Sequence, residues 1–129
     1  MMANTLCKEE RLRGKQVISN LFENGHSFFQ TPYKVFWIKI RATGLYPSRF
    51  AVSVPKRRFK RAVKRNLLKR RTREVFRNNK QILNEAVYNG WQIQMIVIYI
   101  SDKLLTTIEL EEAMKKILQH IAKQYVESN

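Results

Sequence analysis

Residues 91–100 read WQIQMIVIYI, and residues 106–125 read TTIELEEAMKKILQHIAKQY. The first stretch is strongly β-branched and lacks Gly and Pro, which predicts a strand, central in its sheet. In the second, Leu110, Met114, Ile117, Leu118, Ile121 and Tyr125 recur at helical spacing and form one apolar face. Thr106 and Glu109 are spaced as a capping box, a hydroxyl at the N-cap and a carboxylate three residues on. Glu109, Glu111 and Glu112 then lie at the helix start, where the macrodipole favours acids. A buried strand followed by a one-faced helix sets the theme: a sheet with helices packed on it.

Working outward, Tyr33 to Ile40 predicts a strand and Arg49 to Val54 a second. The segment 42–48, with Gly44 and Pro47, reads as the turn between them, so an antiparallel hairpin is expected. A first helix is expected from Gly14 to Glu23, with Val17, Ile18, Leu21 and Phe22 inward. Gly25 is expected to close it with a positive φ. Residues 1–12 read as a polar tail. Pro55 ends the second strand, and a helical pattern begins near Lys60. Residues 78–90 read as the fraying end of that helix plus a connection. The order is α-β-β-α-β-α, with room for one short extra strand. Mixed elements without strict alternation predict an α+β fold in a single domain spanning 1–129.

The chain carries 25 Lys+Arg against 10 Asp+Glu, a formal charge of +15 over 129 residues. Thirteen of those bases fall within 56–80, with Glu74 the one acid there. Elsewhere 12 bases meet 9 acids, so the excess is local. Such a field points to a polyanion, most directly nucleic acid. At 3.6 residues per turn, Arg65, Asn66, Lys69, Arg70, Arg73 and Arg77 share a face, and Leu67, Leu68, Thr72 and Val75 fall opposite. Lys64 and Arg71 sit near the apolar side and must snorkel. Solvated faces mix signs, and this one does not. Its arginine forks suit phosphate oxygens, and Asn66 suits a 2′-hydroxyl or a base edge.

Other classes are disfavoured. The single Cys7 permits no intramolecular disulfide and no cysteine metal cluster. The N-terminus lacks the apolar core of a signal peptide, and Met95 to Ile100 is too short to span a bilayer. A cytoplasmic protein is expected. A metal nuclease needs clustered carboxylates, and the acids here are scattered as surface, cap or first-turn residues. His26 and His120 read as surface residues rather than a positioned acid–base pair. No catalytic residue and no metal site is therefore assigned to this chain. A DNA reader would need base-edge side chains, and this helix offers mostly phosphate chemistry. A membrane-surface helix would need a broader apolar face.

Ala62-Val63-Lys64-Arg65-Asn66-Leu67-Leu68-Lys69-Arg70-Arg71-Thr72-Arg73 resembles the signature of the protein subunit of bacterial ribonuclease P, Ala-x-x-Arg-Asn-x-hydrophobic-Lys-Arg-x-x-Arg. Ser53-Val54 and Lys56-Arg57 resemble the strand end and basic turn that precede it. Leu21, Phe22 and Gly25 resemble the family's first helix and its end, and the length is similar. Two features depart: Leu67 stands where the family usually has Arg, and Phe59-Lys60 replace a Gly in a loop one residue longer.

The resemblance implies a two-layer α/β sandwich, a mostly four-stranded mixed sheet with helices on one side and a left-handed βαβ crossover. It implies that Lys56, Arg57, Arg61, Arg65, Asn66, Lys69, Arg70 and Arg73 bind the catalytic RNA subunit. It implies a cleft for the single-stranded 5′ leader of precursor tRNA, for which Phe22, Ser53 and Trp37 are the candidates. Phe36 and Phe50 are expected in the core, with Tyr33, Val35 and Trp37 on the opposite strand face. It implies no small-molecule cofactor, and cleavage by the RNA subunit with Mg²⁺. The alternative on charge and size alone is a non-enzymatic RNA-binding protein, such as a ribosomal protein.

Overall fold

The computed structural model describes residues 10–42, 46–88 and 90–127. The readings of Cys7 and of the turn at Gly44 lie outside them. Eight elements follow in order: α1 (Lys15–Asn24), β1 (His26–Gln30), β2 (Tyr33–Arg41), β3 (Ser48–Ser53), α2 (Ala62–Asn79), α3 (Gln81–Asn84), β4 (Trp91–Tyr99) and α4 (Thr107–Glu127). The four strands form one sheet in the order β1-β2-β4-β3. β4 is central, as its run of β-branched residues predicts. Ile93, Met95, Val97 and Tyr99 lie fully buried under the helices.

The expected hairpin between the second and third strands does not form. β3 pairs in parallel with β4, and β2 pairs antiparallel with both β1 and β4. The fold is α+β with a mixed sheet. α2 and α3 connect the parallel neighbours β3 and β4, the crossover position that the resemblance implies.

One face of the sheet carries the main core. Tyr33, Val35, Trp37, Phe50 and the odd positions of β4 meet Leu68, Val75 and Phe76 of α2 and the buried stripe of α4. All six expected stripe residues of α4 are fully buried. The capping box is present: the Thr106 hydroxyl accepts from Glu109 N–H at 3.2 Å, and the Glu109 carboxylate accepts from Thr106 N–H at 3.0 Å. Those hydrogen bonds from the Thr106 backbone and side chain hold the Glu109 carboxyl below its ordinary pKa. Residues 78–90 are more ordered than a fraying end. Asn79 is buried and donates to Val75 O at 2.7 Å, and Leu83 of α3 enters the core.

The second face is only partly covered. α1 lies there rather than with the other helices, and Leu21 joins Leu12 and Ile96 in a smaller cluster with Phe36, Ile38 and Ala51 against it. Residues 10–12, expected within the polar tail, are instead packed on the fold. Leu12 is buried and donates its N–H to Phe50 O at 2.9 Å, and Glu10 is buried in an ion pair with Lys80 at 2.8 Å. Gly25 does close α1, but with φ −82° instead of a positive value. It is glycine for want of space: a Cβ would stand 2.4 Å from Leu21 O and 2.9 Å from Trp37 O.

Candidate nucleic-acid interface

After Ser53 the chain turns at Pro55, whose carbonyl accepts from Arg58 N–H at 3.1 Å. Phe59 then plugs into the core beside Tyr99, with ring centres 5.9 Å apart. That anchor fixes where α2 begins. Arg65 secures it from inside the helix, its Nη1 donating to the carbonyls of both Phe59 and Lys60 at 2.7 Å. Arg65 is thus half-buried at the edge of the packed side, and Asn66, Arg70 and Arg73 are the more exposed members of that face. Lys69 is also half-buried, while Lys56, Arg57 and Arg61 are exposed in the turn ahead of the helix.

Leu67 is not on the docking side as the wheel suggested. It is half-exposed and lines a surface groove with Arg70, Arg71, Glu74 and Thr107, while Leu68, Thr72 and Val75 take the core. Arg71 escapes the apolar side by donating to Leu105 O at 2.7 Å, which ties α2 to the loop before α4. Arg77 pairs with Glu74.

On the open sheet face, α1 and the start of the chain wall off a groove of about 580 Å³. Ala51, Ser53, Ile96 and Ile98 come from the sheet, Ile18 and Phe22 from α1, and Arg11, Arg13 and Arg73 bring positive charge. Phe22 is 43% exposed and meets Phe36 edge-on at 4.8 Å, so the ring is presented to the groove rather than sealed in the core. Arg73 also lines a second groove with Arg11, Arg70 and Arg77, so the two hollows share the Arg11–Arg73 pair. Burial, and then the neighbouring Arg11 guanidinium, push Arg73 below the ordinary arginine pKa. Two arginines lining the same hollows suit an anion there.

Phe22 and Ser53 therefore come together, but Trp37 does not join them. It lies on the helix-covered face at 2% exposure, in a tilted ring contact with His26 at 4.6 Å. Tyr33 and Val35 are buried on that same face. Burial above all pushes the Tyr33 hydroxyl pKa well up, while its partner Thr72 stands 2.7 Å away. Phe36, expected in the core, is half-buried and faces the groove side instead. Sequence reasoning missed Arg11 and Arg13. The available signal was their placement either side of Leu12, a polar–apolar–polar alternation at a point where the chain touches an edge strand.

Among the described residues no three of His, Cys, Asp and Glu gather where they could hold a metal ion. His120 packs on Phe28 and His26 on Trp37, both away from the groove. Among the described residues no helix is long and apolar enough to cross a membrane.

An arginine-faced helix beside a cation-rimmed, aromatic-walled groove on an open sheet defines an RNA-binding protein. The family model for ribonuclease P matches residues 6–122. The ribonuclease P protein component of Porphyromonas gingivalis (strain W83) is 38% identical over 119 residues, covering 91% of this chain and 86% of that protein. That of Thermotoga maritima is 39% identical over 82 residues, covering 64% of this chain and 67% of that protein. The solved RNase P protein from Thermotoga maritima superposes with a TM-score of 0.68 at 26% identity, covering 86% of this chain and 96% of that one. The Staphylococcus aureus RNase P protein gives the same TM-score at 23% identity over 87% of this chain and 94% of its own, which shows the shared fold. The chain belongs to the bacterial ribonuclease P protein family, the protein component of a ribonucleoprotein endonuclease that matures the 5′ ends of tRNA.

Proposed function

We propose that this protein docks on the catalytic RNA subunit through the basic surface of α2 and the turn before it, and holds the 5′ leader of precursor tRNA in the groove beside α1. Lys56, Arg57, Arg61, Lys69, Arg70 and Arg73 meet phosphates of the folded RNA, and Asn66 meets a 2′-hydroxyl or a base edge. Arg65 combines such a contact with holding the loop at Phe59–Lys60. Phe22 and Ser53 line the leader groove, with Arg11 and Arg13 as cations for its backbone. The observation that carries this reading is the groove of about 580 Å³, with an aromatic ring and three arginines around an apolar floor. Unpaired bases need rings and apolar surface, and their backbone needs cations. With such partners the protein works in the cytoplasm.

Mg²⁺ bound with the RNA subunit would supply the activated water and charge stabilisation that phosphodiester hydrolysis needs, and no residue of this chain is assigned to hold it. This chain's residues bind and orient: the leader enters the groove, and the cleavage site is presented to the RNA. The test is reconstitution. RNA-free protein added to a catalytic ribonuclease P RNA at low Mg²⁺ should restore leader removal, while the protein alone should cleave nothing. Lack of stimulation would remove the reading, and robust cleavage by protein alone would overturn the division of labour.

A further inference from the structure

The open face of the sheet extends beyond the groove. Phe29 pairs across β1–β2 with Lys34, Lys34 pairs across β2–β4 with Ile98, and Ile98 pairs across β4–β3 with Ser53. Paired residues on adjacent strands point to the same side. The four side chains therefore form one row across the sheet, on the face away from the main core. At about 4.8 Å between strands, the row spans roughly 14 Å. Ser53 and Ile98 at one end line the groove. At the other end Phe29 is 66% exposed, although it sits on a regular strand.

Lys34 links the two ends. Its Nζ stands 5.2 Å from the centre of the Phe29 ring and 5.1 Å from that of Phe36, and Phe36 meets Phe22 at 4.8 Å. Among the described residues no carboxylate pairs with Lys34. A bare ring, an unneutralised ammonium and an apolar strip continuous with the groove match the needs of an unpaired nucleotide: a face to stack on and a cation for its phosphate.

We propose that Phe29 and Lys34 form a second nucleotide station, where bases of the single-stranded leader further from the cleavage site stack after the strand has crossed the sheet from the groove at Phe22. This rests on the leader reading of the groove and sets the length of its footprint. Lys34 holds the phosphate, and the Phe29 ring takes the base without choosing among bases.

The test uses the reconstituted holoenzyme and precursor tRNAs whose leaders are lengthened one nucleotide at a time. Wild type should gain affinity in two steps, one at the groove and one at the outer station. Phe29→Ala should match wild type on the shortest leaders, then fall about five- to tenfold behind once the leader reaches the outer station. Phe29→Tyr should restore the second step and Phe29→Leu should not, since stacking needs a planar ring. Lys34→Gln should weaken only long leaders and flatten their salt dependence. An unchanged melting temperature would confirm that the exposed ring carries no fold. If Phe22→Ala is selective for leader-bearing tRNA but Phe29→Ala binds every leader as wild type does, the outer station does not exist. If Phe22→Ala is also indifferent to the leader, the groove reading itself fails. A shift from dimer to monomer on Phe29→Ala, with leader affinities unchanged, would make this face a contact between copies and overturn the proposal.

Discussion

Gly25 and Arg65 show how single residues fix the interface. Gly25 joins α1 to β1 where the backbones of Leu21 and Trp37 leave no room for a side chain. Gly25→Ala has no dihedral penalty at φ −82°, so its cost is displacement of packed backbone. Urea unfolding should show a loss of about 1–3 kcal/mol, the range for overpacking. Arg65 donates to two carbonyls of the loop that starts α2. Arg65→Ala should lower stability by about 1–3 kcal/mol as well as weaken RNA binding. Arg70→Ala, an outward residue, should weaken RNA binding with its melting curve unchanged. Sequence spacing put both arginines on one face, because a helical wheel gives azimuth but not the atoms a long side chain reaches. Trp37 was misplaced for a related reason. Both alternating sets of β2, Tyr33-Val35-Trp37 and Phe36-Ile38-Ile40, are apolar, so periodicity cannot say which one the helices cover.

Elements differ in how far their own sequence determines them. α4 was legible in full, because its cap, its stripe and its exposed face agree. The Glu109 carboxyl is held below its ordinary pKa by the Thr106 hydrogen bonds, so the ionised form favours the folded state. That contribution is present above the unfolded-state pKa and fades as pH falls through the lower folded-state value. Glu109→Gln should therefore lose stability at neutral pH and show a shallower acid limb in a pH series of thermal melts. β3 was legible as a strand, but its partner was not. Pairing with β4 is a long-range parallel contact made by way of α2 and α3, and a short turn between strands reads locally as a hairpin. Residues 10–12 read as tail because polar residues surround them, yet Glu10 is half of a buried pair and Leu12 is buried. Glu10→Gln leaves Lys80 without that partner and should cost about 3 kcal/mol in chemical unfolding.

At the scale of the molecule, the local charge excess was readable at once and a cleft apart from it came with the family resemblance, but the cations Arg11 and Arg13 at the rim of the groove were not foreseen. The helix-covered face is apolar and finished. The other face is left open, with α1 along one side and Arg11, Arg13 and Arg73 at its rim. If about six phosphates are neutralised on docking, log K for the RNA subunit should fall with log salt at a slope of roughly −4 to −5. A slope near zero in a binding titration would exclude phosphate docking. The central claim is that the groove recognises the leader while α2 recognises the RNA subunit. Affinities of the reconstituted holoenzyme for precursor and mature tRNA, measured with wild type and Phe22→Ala alongside their melting curves, test it most directly. The account predicts a loss of about tenfold for precursor tRNA, with mature-tRNA affinity, assembly and melting nearly unchanged. Equal losses for both tRNAs, or a collapse of stability without selective loss for the leader, would contradict it.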